Sequence, residues 1–254
     1  MTAFDIYLYV MILIALCVFI ALYFVDAGYG FAISPKWGKS INNKLAWFFM
    51  EFPIFASMII IWLISPRKYD MVRVIFLIIF EIHYLQRVFI FPFLIKGNGK
   101  MPLAIMFMGM SFNILNDAMQ GYWIFFESPA EMYTPAWLTT PQFIIGTVVF
   151  FTGIYINIHS DYIIRHLRKS ENDTKHYLPH GGMFHYVTSA NYFGELMEWL
   201  GFAILTWSLA GFVFFIWTFA NLVPRANALY KKYRSEFGAE MHDQHIKRVI
   251  PFIY

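Results

Sequence analysis

Long apolar runs alternate with short polar breaks along the whole chain. A helix needs roughly 20 apolar residues to cross the hydrocarbon core of a bilayer, at about 1.5 Å of rise each. Runs of that length lie near 4–25, 46–65, 71–95, 101–126 and 141–158. The stretch 183–222 is too long for one crossing and reads as two helices broken around Trp207, Ser208 and Gly211. Gly28, Gly30, Pro35, Gly38, Pro66, Gly97, Gly99, Pro129, Pro135, Gly181 and Gly182 punctuate the intervals. The pattern predicts an all-α membrane protein, a bundle of seven transmembrane helices, with residues 1–254 forming a single polytopic domain. No internal repeat or linker divides it.

Composition agrees. Only 14% of residues are charged, against about 25% in a soluble domain whose whole surface must be solvated. The first run lacks a basic leader and is long enough to span, so it reads as an anchor rather than a cleaved signal. Cys17 is the single cysteine, which excludes an intrachain disulfide. A net charge of +3 gives no case for a nucleic-acid partner. Basic residues collect in cytoplasmic loops. With seven spans, Lys36, Lys39, Lys44, Lys96, Lys100, Arg165, Arg168, Lys169, Lys175 and the Arg225–Arg248 tail all fall on one side. The N-terminus is therefore expected outside and the C-terminus in the cytosol.

Several polar groups interrupt the apolar runs. An ionised side chain at mid-bilayer costs about 2.5–3.5 kcal/mol on insertion scales, so such residues face the bundle interior and tend to be functional. Glu51 lies in the second run with no basic residue within a turn, so it is expected to be neutral at pH 7 and able to donate a hydrogen bond; the plainer alternative is a carboxyl satisfied by another helix. In the third run Glu81, Tyr84 and Arg87 share a broad face. In the fourth, Asn113, Asn116, Asp117 and Gln120 form a stripe of the kind that glues helices together. In the fifth, Asn157, Asp161, Arg165 and Arg168 run down one face from an amide through a carboxylate to two guanidiniums. That gradient suits a ligand with an amide deep in the membrane and phosphates near its surface; a snorkelling helix end with Arg among headgroups would look the same. Asn191, Glu195 and Glu198 repeat the spacing at the start of the sixth span, and the tail adds Arg225, Tyr230, Lys231, Lys232, Tyr233 and Arg234. Together these faces outline a cofactor pocket open to the cytosol. No Gly-rich phosphate loop, Walker motif or metal-ligand cluster is present, so a nucleotide would be held by helix side chains.

At these residues the chain resembles the membrane steroid 5α-reductase family, in its prokaryotic form. The resemblance rests on Asn157-Ile158-His159-Ser160-Asp161-Tyr162-Ile163-Ile164-Arg165 with Leu167-Arg168-Lys169, then Pro179-His180-Gly181-Gly182-Met183-Phe184. It continues in Ala190-Asn191-Tyr192-Phe193-Gly194-Glu195, Glu198-Trp199 and the terminal Ile250-Pro251-Phe252-Ile253-Tyr254. Nearer the N-terminus, Ala46-Trp47-Phe48 with Glu51 and Pro53, and His83-Tyr84 with Arg87, match its substrate half.

The resemblance implies a seven-helix enzyme that uses NADPH to saturate the 4,5 double bond of a 3-oxo-Δ4-steroid. Glu51 and Tyr84 would hydrogen-bond the 3-oxo group. Asn157, Asp161 and Glu195 would hold the nicotinamide end, with Tyr29 beside it. Arg168, Asn191, Arg225 and Tyr233 would hold the ribose and diphosphate, with Tyr177 in support and Lys96 and Asn98 near the adenosine phosphate. Residues 1–126 would serve mainly the substrate and 141–254 mainly the cofactor. The chain departs from the family at Met50, where relatives carry Gln, at Asn98, where they carry a basic residue, and at His176-Tyr177 before the Gly-Gly turn. The substrate would be lipophilic and enter from the bilayer, and the protein would be a monomer in contact with membrane lipid. Its membrane would be the plasma membrane of a bacterium or the endoplasmic reticulum of a eukaryote. Other readings of the same residues are reduction of another lipid double bond (an enoyl thioester or polyprenol), a membrane methyltransferase, or a transporter.

Overall fold

The structure is a computed structural model describing residues 1–25, 35–168, 170, 173, 175–241 and 245–254. Helix α1 (Ala3–Ala21) starts at a reciprocal cap: the Asp5 N–H donates to Thr2 Oγ1 at 3.1 Å and the Thr2 N–H to Asp5 Oδ2 at 2.7 Å. Strand β1 (Ser40–Asn42) leads directly into α2 (Asn43–Ile64). Helix α3 (Met71–Leu85) continues through a π turn, Gln86–Ile90, into α4 (Phe91–Leu94). Pro92 has no N–H and its ring would press on the carbonyl one turn back, which gives a local cause for the widened turn. Strand β2 (Lys100–Pro102) leads into α5 (Leu103–Tyr122), which ends in a second π turn, Trp123–Glu127. Then come α6 (Pro141–Leu167), α7 (Ala190–Thr206), α8 (Leu209–Glu236) and the short α9 (Gly238–Met241).

Among the described residues, five helical stretches are long and apolar enough to cross a membrane: Ala3–Ala21, Asn43–Ile64, Met71–Leu94, Pro141–Leu167 and Leu209–Glu236. Large apolar side chains such as Leu13, Leu63, Val148 and Tyr155 lie exposed along them, as lipid contact requires. Helix α5 is diluted by its four amide and carboxyl residues, and α7 has only 17 residues. The chain is thus a mostly helical, multi-pass membrane protein.

Two differences from the hydropathy pattern have local causes. Helix α6 runs to Leu167, well past the apolar run that ends near 158, because hydrogen bonding continues after the lipid-facing composition stops. Helix α7 begins at Ala190 rather than near 183, because Gly181 and Gly182 take positive φ (90° and 51°) and a 3-10 turn, Gly182–His185, intervenes. The break between α7 and α8 falls where the sequence predicts it. Trp207 adopts φ 47°, and Ser208 Oγ accepts the Gly211 N–H at 3.0 Å, capping α8.

The chain forms two compact units. The first comprises Met1–Asp26, Gly146–Ala203 and Phe212–Tyr254. Within it α6 and α7 touch backbone to backbone. A Cβ added at Gly153 would stand 2.5 Å from the Glu198 nitrogen, and one at Gly194 2.5 Å from the Asn157 nitrogen; one at Gly201 would strike the Phe150 nitrogen. Small residues permit this approach, which a membrane favours because packing replaces the hydrophobic effect between helices. Beside them Trp199 packs against Phe214 at 4.2 Å, and Trp217 Nε1 donates to the Met11 carbonyl at 2.9 Å. Arg248 closes the C-terminal end, donating to Asn227 Oδ1 at 2.9 Å and lying over the Tyr230 and Tyr254 rings.

The second unit comprises Ala27–Ile145 and Ile204–Gly211. Here β1 and β2 pair antiparallel, Ser40 with Pro102 and Asn42 with Lys100, so the first turns of α2 and α5 start side by side. Gly109, Asn113, Asp117 and Gly121, each four residues apart, then line the α5 face that meets α2. Arg73 is buried at the other end, donating to the Ile124 carbonyl, Asp70, Ser128 and the Pro129 carbonyl. Tyr133 donates to the Thr206 carbonyl at 2.6 Å, and burial pushes its phenol up from the ordinary value.

Candidate functional site

In the second unit Glu51 is buried on α2, 9% exposed. Its Oε2 accepts a hydrogen bond from Asn113 Nδ2 at 2.9 Å, and the same nitrogen donates to the Met50 carbonyl at 2.9 Å. Tyr84 is buried on α3, 2% exposed, with the Phe80 ring at 4.8 Å and the edge of His83 at 5.0 Å. Helices α2 and α3 pack against each other. One turn beyond Tyr84, inside the π turn, Arg87 is buried over the rings of Trp47 (4.7 Å) and Phe91 (4.4 Å). A carboxyl and a phenol are therefore set in aromatic and aliphatic surroundings, where each hydrogen bond is worth more than in water.

In the first unit the glycine face of α6 continues as a polar one. Gly146, Phe150, Gly153, Asn157, Ser160 and Asp161 are its buried residues, recurring at helical spacing. Asn157 Nδ2 donates to the Asn191 carbonyl at 2.9 Å, and Asn191 Nδ2 donates to Asp161 Oδ1 at 3.2 Å. The helices are close enough for these short side chains to meet because glycines lie a turn away on each. Ser160 and Ser189 are buried there too, and their hydroxyls have no hydrogen-bond partner among the described residues. That leaves unspent hydrogen-bonding capacity beside Asp161 and Asn191. Glu195 is half-buried on α7 and Glu198 fully buried. On α8, Arg225 Nη2 donates to the Tyr192 hydroxyl at 3.1 Å and its guanidinium lies 5.4 Å from that ring's centre.

Three further residues lie toward the loop ends. Arg168 directly follows α6 and is half-buried. Tyr177 donates to Asp173 Oδ2 at 3.0 Å, a bond that holds its phenol above the ordinary value. Tyr233, on the last turns of α8, is half-buried against Phe237 at 6.1 Å. Tyr29 lies outside the described residues.

The structure thus joins Asn157, Asp161 and Asn191 in one network. It also supplies partners that the hydropathy pattern did not single out. Tyr192 carries no signal of its own in the sequence, yet it fixes Arg225. Asn113 joins α5 to α2 as its stripe predicts, and the group it holds there is Glu51. The spacing signal for the second was present in the Asn113 stripe, but the identity of the facing residue was not.

Residues 99–254 match the family model described as 3-oxo-5-alpha-steroid 4-dehydrogenase. The chain is 35% identical to a Gossypium hirsutum protein named steroid 5-alpha-reductase DET2, an alignment covering 100% of this chain and 98% of that one. It is 37% identical to human 3-oxo-5-alpha-steroid 4-dehydrogenase 1, over 89% of this chain and 86% of the human one. The mouse protein of the same name is also 37% identical, over 94% of this chain and 92% of its own.

Proposed function

The chain belongs to the 3-oxo-5-alpha-steroid 4-dehydrogenase family and is an oxidoreductase, and we propose that it uses NADPH to reduce the 4,5 double bond of a 3-oxo-Δ4-steroid. The observation that supports this most directly is the burial of Glu51 and Tyr84 on neighbouring helices of the second unit.

The residues of the first unit fit a reduced nicotinamide dinucleotide. Asn157, Asp161 and Glu195 offer the mixed donors and acceptors that a carboxamide needs, and Ser160 and Ser189 add two buried hydroxyls. Arg168, Arg225, Asn191 and Tyr233 would hold ribose and diphosphate, with Tyr177 in support. The bound cofactor supplies the hydride that adds at C5. Addition at the β-carbon of an enone drives an electron pair onto the carbonyl oxygen. Glu51, protonated, and Tyr84 would both donate to that oxygen, stabilising the enolate where water is excluded. The enolate then takes at C4 a proton drawn ultimately from solvent, which with the hydride completes the saturated ketone. We further propose seven crossings with the N-terminus outside and the C-terminus cytosolic, and a lipophilic substrate that enters from the bilayer.

The test is NADPH consumption by the purified chain in detergent, with progesterone or testosterone beside an enoyl thioester and a polyprenol. The steroid enones should drive oxidation and the others should not. Glu51→Leu and Tyr84→Phe should each lower turnover about 10²–10³-fold, the usual loss for one oxyanion donor, while NADPH affinity measured by fluorescence stays unchanged. Wild-type turnover in both variants would sink the assignment.

A further inference from the structure

We infer that Asn113 is a positioning residue for Glu51: it orients the carboxyl and dictates which of its oxygens carries the proton. This rests on the reductase reading above.

The inference starts from one nitrogen with two acceptors. Asn113 Nδ2 lies 2.9 Å from the Met50 carbonyl oxygen and 2.9 Å from Glu51 Oε2, all within the buried α2–α5 contact. An amide's oxygen and nitrogen are assigned from their neighbours. A backbone carbonyl can only accept, so the Asn113 atom facing Met50 must be the NH2 group. With one hydrogen committed to Met50, the other meets Glu51. Oε2 must then accept, whatever the charge on the carboxyl. If Glu51 is protonated, the proton belongs on Oε1, because an O–H on Oε2 would confront the amide N–H. Asn113 thus leaves the acid a single donating oxygen.

The backbone maintains this geometry. The β1–β2 ribbon pairs Asn42 with Lys100 and so starts α2 and α5 together. At about 1.5 Å per residue, Glu51 lies ~13 Å along its helix and Asn113 ~16 Å along its own, measured from the strand ends. Gly109, one turn before Asn113, is the position where a Cβ would strike the Met50 side chain, so the missing side chain makes room for Met50 to pack onto α5 beside the Asn113 contact. A side chain as short as asparagine bridges the two helices there.

The experiment is a double-mutant cycle on the full chain in detergent, comparing wild type, Asn113→Leu, Glu51→Leu and the double variant, with Asn113→Ala as a smaller replacement. Turnover and KM for a steroid enone are measured beside NADPH affinity. Asn113→Leu and Asn113→Ala should lower kcat about 10- to 100-fold, the scale of a misplaced reacting group. KM and NADPH affinity should stay within about threefold, since an interaction acting only in the transition state is lost. The double variant should turn over no more slowly than Glu51→Leu, because Asn113 acts only through Glu51. Losses that multiply in the double variant would overturn the inference. So would wild-type kcat in the Asn113 variants while Glu51→Leu is impaired, and so would loss of NADPH binding in both Asn113 variants, which would make the residue a fold element. A fully active Glu51→Leu would instead bring down the role of Glu51 as oxyanion donor, and a wild type inert to every steroid enone would bring down the reductase reading itself.

Discussion

Arg225 meets Tyr192 in two ways, through a hydrogen bond to the hydroxyl and across the ring face. Both fix a planar fork whose five donors suit a diphosphate bidentately. Lysine keeps the charge and loses the fork. Arg225→Lys should therefore weaken NADPH binding about tenfold, the loss of one charge-assisted hydrogen bond, as read by fluorescence titration. Tyr192→Phe should weaken it less, since the ring contact survives. The same residue-scale argument applies to Asn191, whose carbonyl accepts from Asn157 while its side chain donates to Asp161. Asn191→Leu would leave Asp161 without that donor in a buried setting. It should cost stability of about 1–3 kcal/mol as well as cofactor affinity.

At the scale of elements, the pairing of α6 with α7 depends on glycines more than on any polar contact. A methyl at Gly194 would collide with the Asn157 backbone, so Gly194→Ala must separate the helices or bend one. Overpacking of this kind costs roughly 1–3 kcal/mol. The expected outcome is a lower melting temperature in detergent together with weaker NADPH binding, because Asn157 and Asn191 move apart. Gly238→Ala, where nothing lies within 4 Å of an added Cβ, should leave both measurements unchanged. The glycines were visible in the sequence, but read as single residues they carry no partner. Only the facing of Gly146, Gly153, Gly194 and Gly201 across one contact gives them a role.

At the scale of the molecule, the lipid-facing surface follows directly from the length and hydropathy of the runs, since a bilayer imposes one thickness on every crossing. The proposed odd number of crossings is tested by topology reporters. A tag at the N-terminus should be accessible from outside intact cells and one at the C-terminus only after permeabilisation; both on the same side would refute the count. The concentration of Lys and Arg after α6 and in the tail supports the cytosolic assignment.

The linear pattern by itself determined that the chain is helical, that it crosses membrane, where α7 and α8 part, and which carboxyls and amides interrupt its apolar runs. Those are consequences of composition and period, which act between residues near in sequence. Tertiary structure alone decided which of these polar groups meet. Asn113 reaches Glu51 because a ribbon joining distant segments starts α2 and α5 together. Asn191 reaches Asp161 because facing glycines let two backbones touch. Both depend on distances between helices, a quantity that no single helix's hydropathy contains.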